Sequence, residues 1–142
     1  MKVNGQARII VVNDQAETLS PFIYLLEHDR QISGAYKFEF EYSAKMATLN
    51  YNPHDFHFAV IDASDDFFIQ RKGSVEREFT LSEFWKSQNP NLIVVGTSIQ
   101  DEKFAEVGGF YDEKIRIEQF DEQIIDLLRK YKFISDEWKW QD

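Results

Sequence analysis

Compact apolar runs alternate along this chain with stretches of helical spacing. Arg8 to Val12, Phe56 to Ile61 and Leu92 to Val95 are short, rich in β-branched residues, and followed by polar or turn residues such as Asn13-Asp14 and Gly96-Thr97-Ser98. Such runs predict strands buried on both faces. Tyr36 to Tyr42 differs, because Tyr36, Phe38, Phe40 and Tyr42 alternate with Lys37, Glu39 and Glu41. That period of two predicts a strand with one wetter face, nearer a sheet edge. Phe110 to Glu113 predicts a short last strand.

Leu19, Phe22, Ile23 and Leu26 fall on one helical face. Pro21 fits only a first turn, which makes Ser20 the N-cap; a start near Ala16 would require a kink. Ser43 caps a short helix over Ala44 to Asn50, and Pro53 follows it. Leu81, Phe84 and Trp85 mark another helix, and Asp101 to Val107 a short one that Gly108-Gly109 ends. Glu118 to Lys132 is the clearest: Phe120, Ile124, Leu127, Leu128 and Tyr131 form one stripe, with acids early and Arg129 and Lys130 late. Residues 63–80, containing Asp65, Asp66, Arg71, Lys72 and Gly73, predict a long polar loop. Five strands alternating with helices imply an α/β fold: a five-stranded parallel sheet with right-handed crossovers and helices on both faces.

A length of 142 residues suits a single domain, with a core of about 7–132 and a tail, 133–142, whose Trp138 and Trp140 take no assignment. A net charge of -9 argues against nucleic acid and against an anionic membrane surface as partners. No cysteine is present, which excludes disulfides, thiolate metal sites and cysteine nucleophiles and fits a reducing compartment. Met1 to Gln6 has no signal-peptide core and no apolar segment is long enough to span a membrane, so a soluble cytoplasmic protein is expected. His28, His54 and His57 lack metal-ligand spacing, and His57 is expected to be a packed or edge histidine.

The candidate chemistry lies where apolar runs end. Asp62 closes Phe58-Ala59-Val60-Ile61, and Asn13-Asp14 closes Ile9-Ile10-Val11-Val12. If these runs lie side by side in a parallel sheet, three acid or amide side chains share the edge where ligands of open α/β sheets bind. Crowded carboxylates repel, and a hard dication such as Mg2+ relieves this through one or two carboxylates plus waters and phosphate oxygens. The plainer reading is that strand-end Asp and Asn cap the loops that follow. Asp65 and Asp66 could join the pocket, but acids in a polar loop are more often solvated. Phe67-Phe68, if exposed on that loop, would mark a partner surface.

This order and spacing resemble the receiver domain of two-component response regulators, the CheY-like family, over roughly Ala7 to Lys132. Ile9-Ile10-Val11-Val12-Asn13-Asp14 resembles the family's first strand and acidic pair, and Ala47 to Asp62 the helix and strand leading to the phosphoacceptor. Gly108-Gly109-Phe110-Tyr111-Asp112-Glu113-Lys114 resembles its small-residue turn and lysine-ended strand. The resemblance implies a flavodoxin-like three-layer sandwich in which Asp62 accepts a phosphoryl group. Asp14, Asp62, Asn13 and the Ser64 backbone would hold Mg2+, Lys114 would neutralise the product, and Thr97 would be the switching hydroxyl. It also implies a histidine kinase or phosphotransfer protein as donor and a downstream protein partner; homodimerisation stays open.

Several positions depart from the family pattern. Asn13 replaces an acid, the fourth-strand hydroxyl aligns with Gly96 unless the chain slips to Thr97 or Ser98, and Ile115 stands where a proline usually follows the lysine. Arg116 is a poor substitute for Lys114, because its planar fork is not a point charge. Two readings follow: a stand-alone receiver-like protein phosphorylated at Asp62, with no enzymatic turnover beyond its own aspartate, or a degenerate pseudo-receiver that binds proteins independently of phosphorylation. A metal-dependent phosphohydrolase is disfavoured, since no second acid stands two residues after Asp62.

Overall fold

The computed structural model describes residues 6–27, 36–98 and 110–137. The expected helix at Asp101 to Val107, Gly108-Gly109, His28 and the tryptophans of the tail lie outside them. The main sheet comprises β1 (Ala7–Val12), β2 (Tyr36–Glu41), β3 (Phe58–Asp62), β6 (Ile93–Ser98) and β7 (Glu113–Arg116), in the order β2-β1-β3-β6-β7 with every pair parallel. The aromatic, charge-alternating β2 takes the edge, as its pattern requires.

Alternation along the central strands supplies two cores. Ile9, Val11, Phe58, Val60, Val95 and Ile115 point to one face, where they pack with Phe120, Ile124 and Leu128 of α4 (Phe120–Lys130) and with Leu19. Phe22 of α1 (Ser20–Glu27) packs partly buried against the same cluster. Ile10, Val12, Ala59, Ile61 and Val94 point to the other face, against Ala44 and Ala47 of α2 (Ala44–Asn50) and Leu81 and Trp85 of α3 (Leu81–Gln88). Burial on both faces is why β1 and β3 read as unbroken apolar runs. Ser43 caps α2 by accepting a hydrogen bond from the Met46 amide at 3.2 Å. A 3-10 turn over Ala16–Leu19 leads into α1, so Pro21 still falls in the first α-helical turn. Among the described residues, no helix is long and apolar enough to cross a membrane.

The segment 63–80 is not a structureless loop. After a 3-10 turn, Ala63–Asp65, it folds into an antiparallel hairpin of β4 (Phe68–Lys72) and β5 (Val75–Phe79), a sheet of its own. Lys72 pairs with Val75, which leaves Gly73-Ser74 as a two-residue turn with Gly73 at φ 65°. A positive φ at the first central residue suits the strand twist, and glycine adopts it without strain. The hairpin is anchored at its base, where Phe68 stacks on Phe79 with ring centroids 5.5 Å apart and meets Phe84 edge-on. Polar residues over most of its length hide the alternation, so composition alone reads it as loop. Phe67 and Phe68 accordingly part company: Phe68 is buried and Phe67 is 51% exposed.

The last strand also lies further along than Phe110 to Glu113. Asp112 fixes its entry: its amide donates to the Val94 carbonyl, and its carboxylate accepts from the Val94 amide and from Lys86 Nζ at 2.8 and 2.9 Å. Pairing then runs Val95 with Glu113, Gly96 with Lys114, Thr97 with Ile115 and Ser98 with Arg116. A strand of charged residues with one buried isoleucine carries too little apolar signal to be located from its own sequence.

Candidate phosphoacceptor site

Parallel pairing brings the ends of β1, β3 and β6 to one edge. Val12 pairs with Ile61 and Asp62 with Thr97, so Asn13 and Asp14 leave the sheet beside Asp62, with Thr97 on its other side. The fourth apolar run continues to Ser98, which puts Thr97 rather than Gly96 in the row of Asp62, buried to 2% exposure.

Asp62 does two things at once. Its Oδ1 accepts from the Ser64 amide at 3.0 Å and from Ser64 Oγ at 2.5 Å, capping the 3-10 turn that follows. Its Oδ2 faces Asn13, whose Nδ2 donates to it at 3.5 Å. Asn13 is buried, and its Oδ1 accepts from the Gln15 amide at 2.8 Å, so both ends of that amide are engaged. A carboxylate at position 13 could not donate to Asp62, and asparagine turns a repulsion into a hydrogen bond while removing one negative charge.

Asp65 completes the cluster. Side chains three apart in a 3-10 turn eclipse, which returns Asp65 towards the edge that Asp62 occupies. Its Oδ2 accepts from the Asp14 amide at 3.0 Å. Burial, with the nearby Asp14 and Asp62 charges adding to it, pushes its carboxyl up to about 6 against the opposing hydrogen bond from the Asp14 backbone. The expectation that Asp65 is solvated is therefore corrected, and its spacing of three from Asp62 was the available signal. Among the described residues, no three His, Cys, Asp or Glu side chains form a ready-made metal cage. The donor set is nevertheless one of hard oxygens whose crowding a dication would relieve, and Mg2+ commonly uses only one or two carboxylates.

Asp66 lies elsewhere, and it is not solvated. It is fully buried, with Oδ1 accepting from the Ser82 amide at 2.8 Å and Oδ2 from Ser82 Oγ and Tyr111 Oη at 2.5 and 2.7 Å. Asp66 thus serves the first turn of α3, where Thr80 makes no side-chain cap bond. Burial raises its carboxyl, and the Ser82 and Tyr111 bonds oppose that rise.

The strand shift alters where Lys114 sits. Lys114 lies within β7, opposite Gly96, and exposed; Ile115 takes the place beside Thr97 and is buried in the first core. Because side chains alternate along a strand, Lys114 leaves the sheet on the opposite face from Ile115. Arg116, level with Ser98, donates from Nε to Glu118 at 2.9 Å.

The fold can be compared with solved structures. A receiver domain protein (CheY-like) from Methanospirillum hungatei JF-1 matches with a TM-score of 0.55 and 18% identity, covering 89% of this chain and 96% of that one. The signal receiver domain of an HD domain-containing protein from Pseudomonas fluorescens Pf-5 matches at 0.64 and 16%, over 92% and 90%. This is the response regulator receiver fold. The non-phosphorylated receiver domain of the stress response regulator RcsB from Escherichia coli agrees, at 0.60 and 16%, covering 92% of this chain and 96% of that one. No family model and no curated protein matches the sequence. In this chain the β4-β5 hairpin stands between β3 and α3, beside the acidic edge.

Proposed function

We propose that this receiver-fold protein is a cytoplasmic signalling domain that accepts a phosphoryl group on Asp62 and signals through protein contacts. The observation that carries this reading is the convergence of Asp62, Asn13, Asp14, Asp65 and Thr97 at the carboxyl edge of a parallel sheet. The donor is a phosphohistidine of a histidine kinase or phosphotransfer protein, or a small phosphodonor. An Asp62 carboxylate oxygen forms the new P–O bond, the P–N bond to the donor imidazole breaks, and that nitrogen takes up a proton. Asp14, Asp62, Asn13 and the Ser64 carbonyl would hold Mg2+, with Asp65 adding charge; bound there, Mg2+ neutralises phosphoryl oxygens. Asn13 orients Asp62 and Thr97 offers its hydroxyl to the phosphoryl group, whereas Lys114, one place short of that row and on the opposite face from Ile115, would have to reach round the strand end for its ammonium to balance the added charge.

Beryllofluoride with Mg2+ mimics phosphoaspartate. In an amide NMR titration it is expected to shift Asp14, Asp62, Ser64 and Thr97, and Asp62→Asn to lose the response. Unmoved spectra at millimolar Mg2+ would sink the proposal. The placement of buried Ile115 beside Thr97 favours a second reading, a pseudo-receiver that binds its partner independently of phosphorylation. Under that reading, Asp62→Ala leaves partner binding intact.

A further inference from the structure

The opposite pole of the sheet carries a cavity of about 600 Å3, lined among others by Arg8, His57, Asn91, Phe56, Ile93 and Phe133. Its volume and its mixture of rings with a few polar groups are those of small-molecule sites. Its polar lining runs against the chain's composition. In a protein of net charge -9 it gathers Arg8, His54, His57, Asn89 and Asn91, with Asp55 as the one acid.

The donors are held in place. The Arg8 guanidinium lies 5.5 Å from the Phe56 ring centroid and, among the described residues, makes no ion pair. The Arg8 amide donates to His57 Nδ1 at 3.0 Å, so the neutral ring carries its proton on Nε2, which has no acceptor among the described residues. The His57 backbone bridges β1 and β6, its amide donating to the Arg8 carbonyl and its carbonyl accepting from the Ile93 amide, at 2.9 and 3.0 Å. Phe133 stands 5.0 Å from the His57 ring. Buried Asn89 anchors the rim, donating to the Pro53 carbonyl at 3.1 Å and accepting from the Asn91 amide at 3.2 Å.

We propose that this cavity binds a small monocarboxylate with a flat apolar body, its carboxylate on the Arg8 fork and His57 Nε2 and its body against Phe56, Ile93 and Phe133. A planar carboxylate matches the guanidinium fork in two hydrogen bonds. A lining with one guanidinium and one carboxylate, Arg8 and Asp55, suits a single negative charge and disfavours a phosphate dianion.

Benzoate, its neutral isostere benzamide and inorganic phosphate are the probes, titrated into the full chain and followed by amide NMR. Benzoate is expected to shift Arg8, His57, Asn91 and Ile93, saturating on the order of a millimolar as befits so small a ligand. Arg8→Gln should weaken it about tenfold by removing a charge-assisted bond, while leaving the main-chain bond to His57 intact. Asp55→Asn should tighten it. Because Arg8 is exposed, the variant's unliganded spectrum reports its folding. Benzamide binding as tightly as benzoate, phosphate shifting the same amides equally, or benzoate unaffected by Arg8→Gln would each overturn the proposal.

Discussion

At the scale of single residues, two neighbouring aspartates show how burial separates roles that sequence cannot. Among the described residues Asp66 accepts from the Ser82 amide, the Ser82 hydroxyl and the Tyr111 hydroxyl and pairs with no cation, so Asp66→Ala leaves the Ser82 amide and Tyr111 hydroxyl without their acceptor. That change should cost about 3 kcal/mol, and Asp66→Asn markedly less because one oxygen remains to accept; urea unfolding of both variants measures the difference. Asp65 bears instead on pH. Its folded value, about 6, lies above its ordinary one, so folding takes up a proton between pH 4 and 6 and this residue's contribution to stability falls as pH rises through that window. Asp65→Asn should therefore gain stability over the parent above pH 6 and lose that advantage near pH 4, by no more than about 1 kcal/mol given its partial exposure. Thermal melts of the pair without divalent cations, from pH 4 to 7.5, check the sign. Asp62 and Asn13-Asp14 were legible as a pair of strand ends. Asp65 and Asp66 were not, because adjacent acids in a polar stretch look alike until a 3-10 turn sends one to the edge and the other inside.

At the scale of elements, the strands and helices of the core follow from the period of their apolar residues, and Ser43 to Asn50 shows cap and helix as the sequence places them. The hairpin and the last strand escape that logic. Residues 69–78 bury little, and their strand state rests on pairing and on the Gly73 turn rather than on a core face. Gly73→Ala meets no atom within 4 Å, so its penalty is conformational alone, about 1 kcal/mol, and falls on the hairpin. Hydrogen exchange should quicken at Ile69 to Glu78 while amides of β1 and β3 keep their protection; equal loss in both would mean that the hairpin is part of the cooperative core. For β7, the tie between Asp112, Val94 and Lys86 decides the register. Lys86→Met should loosen that entry, seen as faster exchange at Glu113 to Arg116.

At the scale of the whole molecule, the sheet separates two chemistries, a carboxylate-rich edge at the carboxyl ends of the strands and a donor-lined cavity at their amino ends. Benzoate and beryllofluoride with Mg2+ should therefore shift non-overlapping sets of amides, and Arg8→Gln should leave the second response unchanged. Sequence by itself determined the α/β class, the alternation of strands and helices up to β3 and the polar strand ends Asp62 and Asn13-Asp14, because a buried parallel strand must be continuously apolar and its loop must begin with a polar residue. Only the tertiary structure decided that Thr97 stands level with Asp62, that Ile115 rather than Lys114 completes that row, and that Asp65 joins the pocket while Asp66 is buried. Each of these depends on register or on a turn, and a shift of one residue exchanges the faces of a strand without changing the pattern that predicts it.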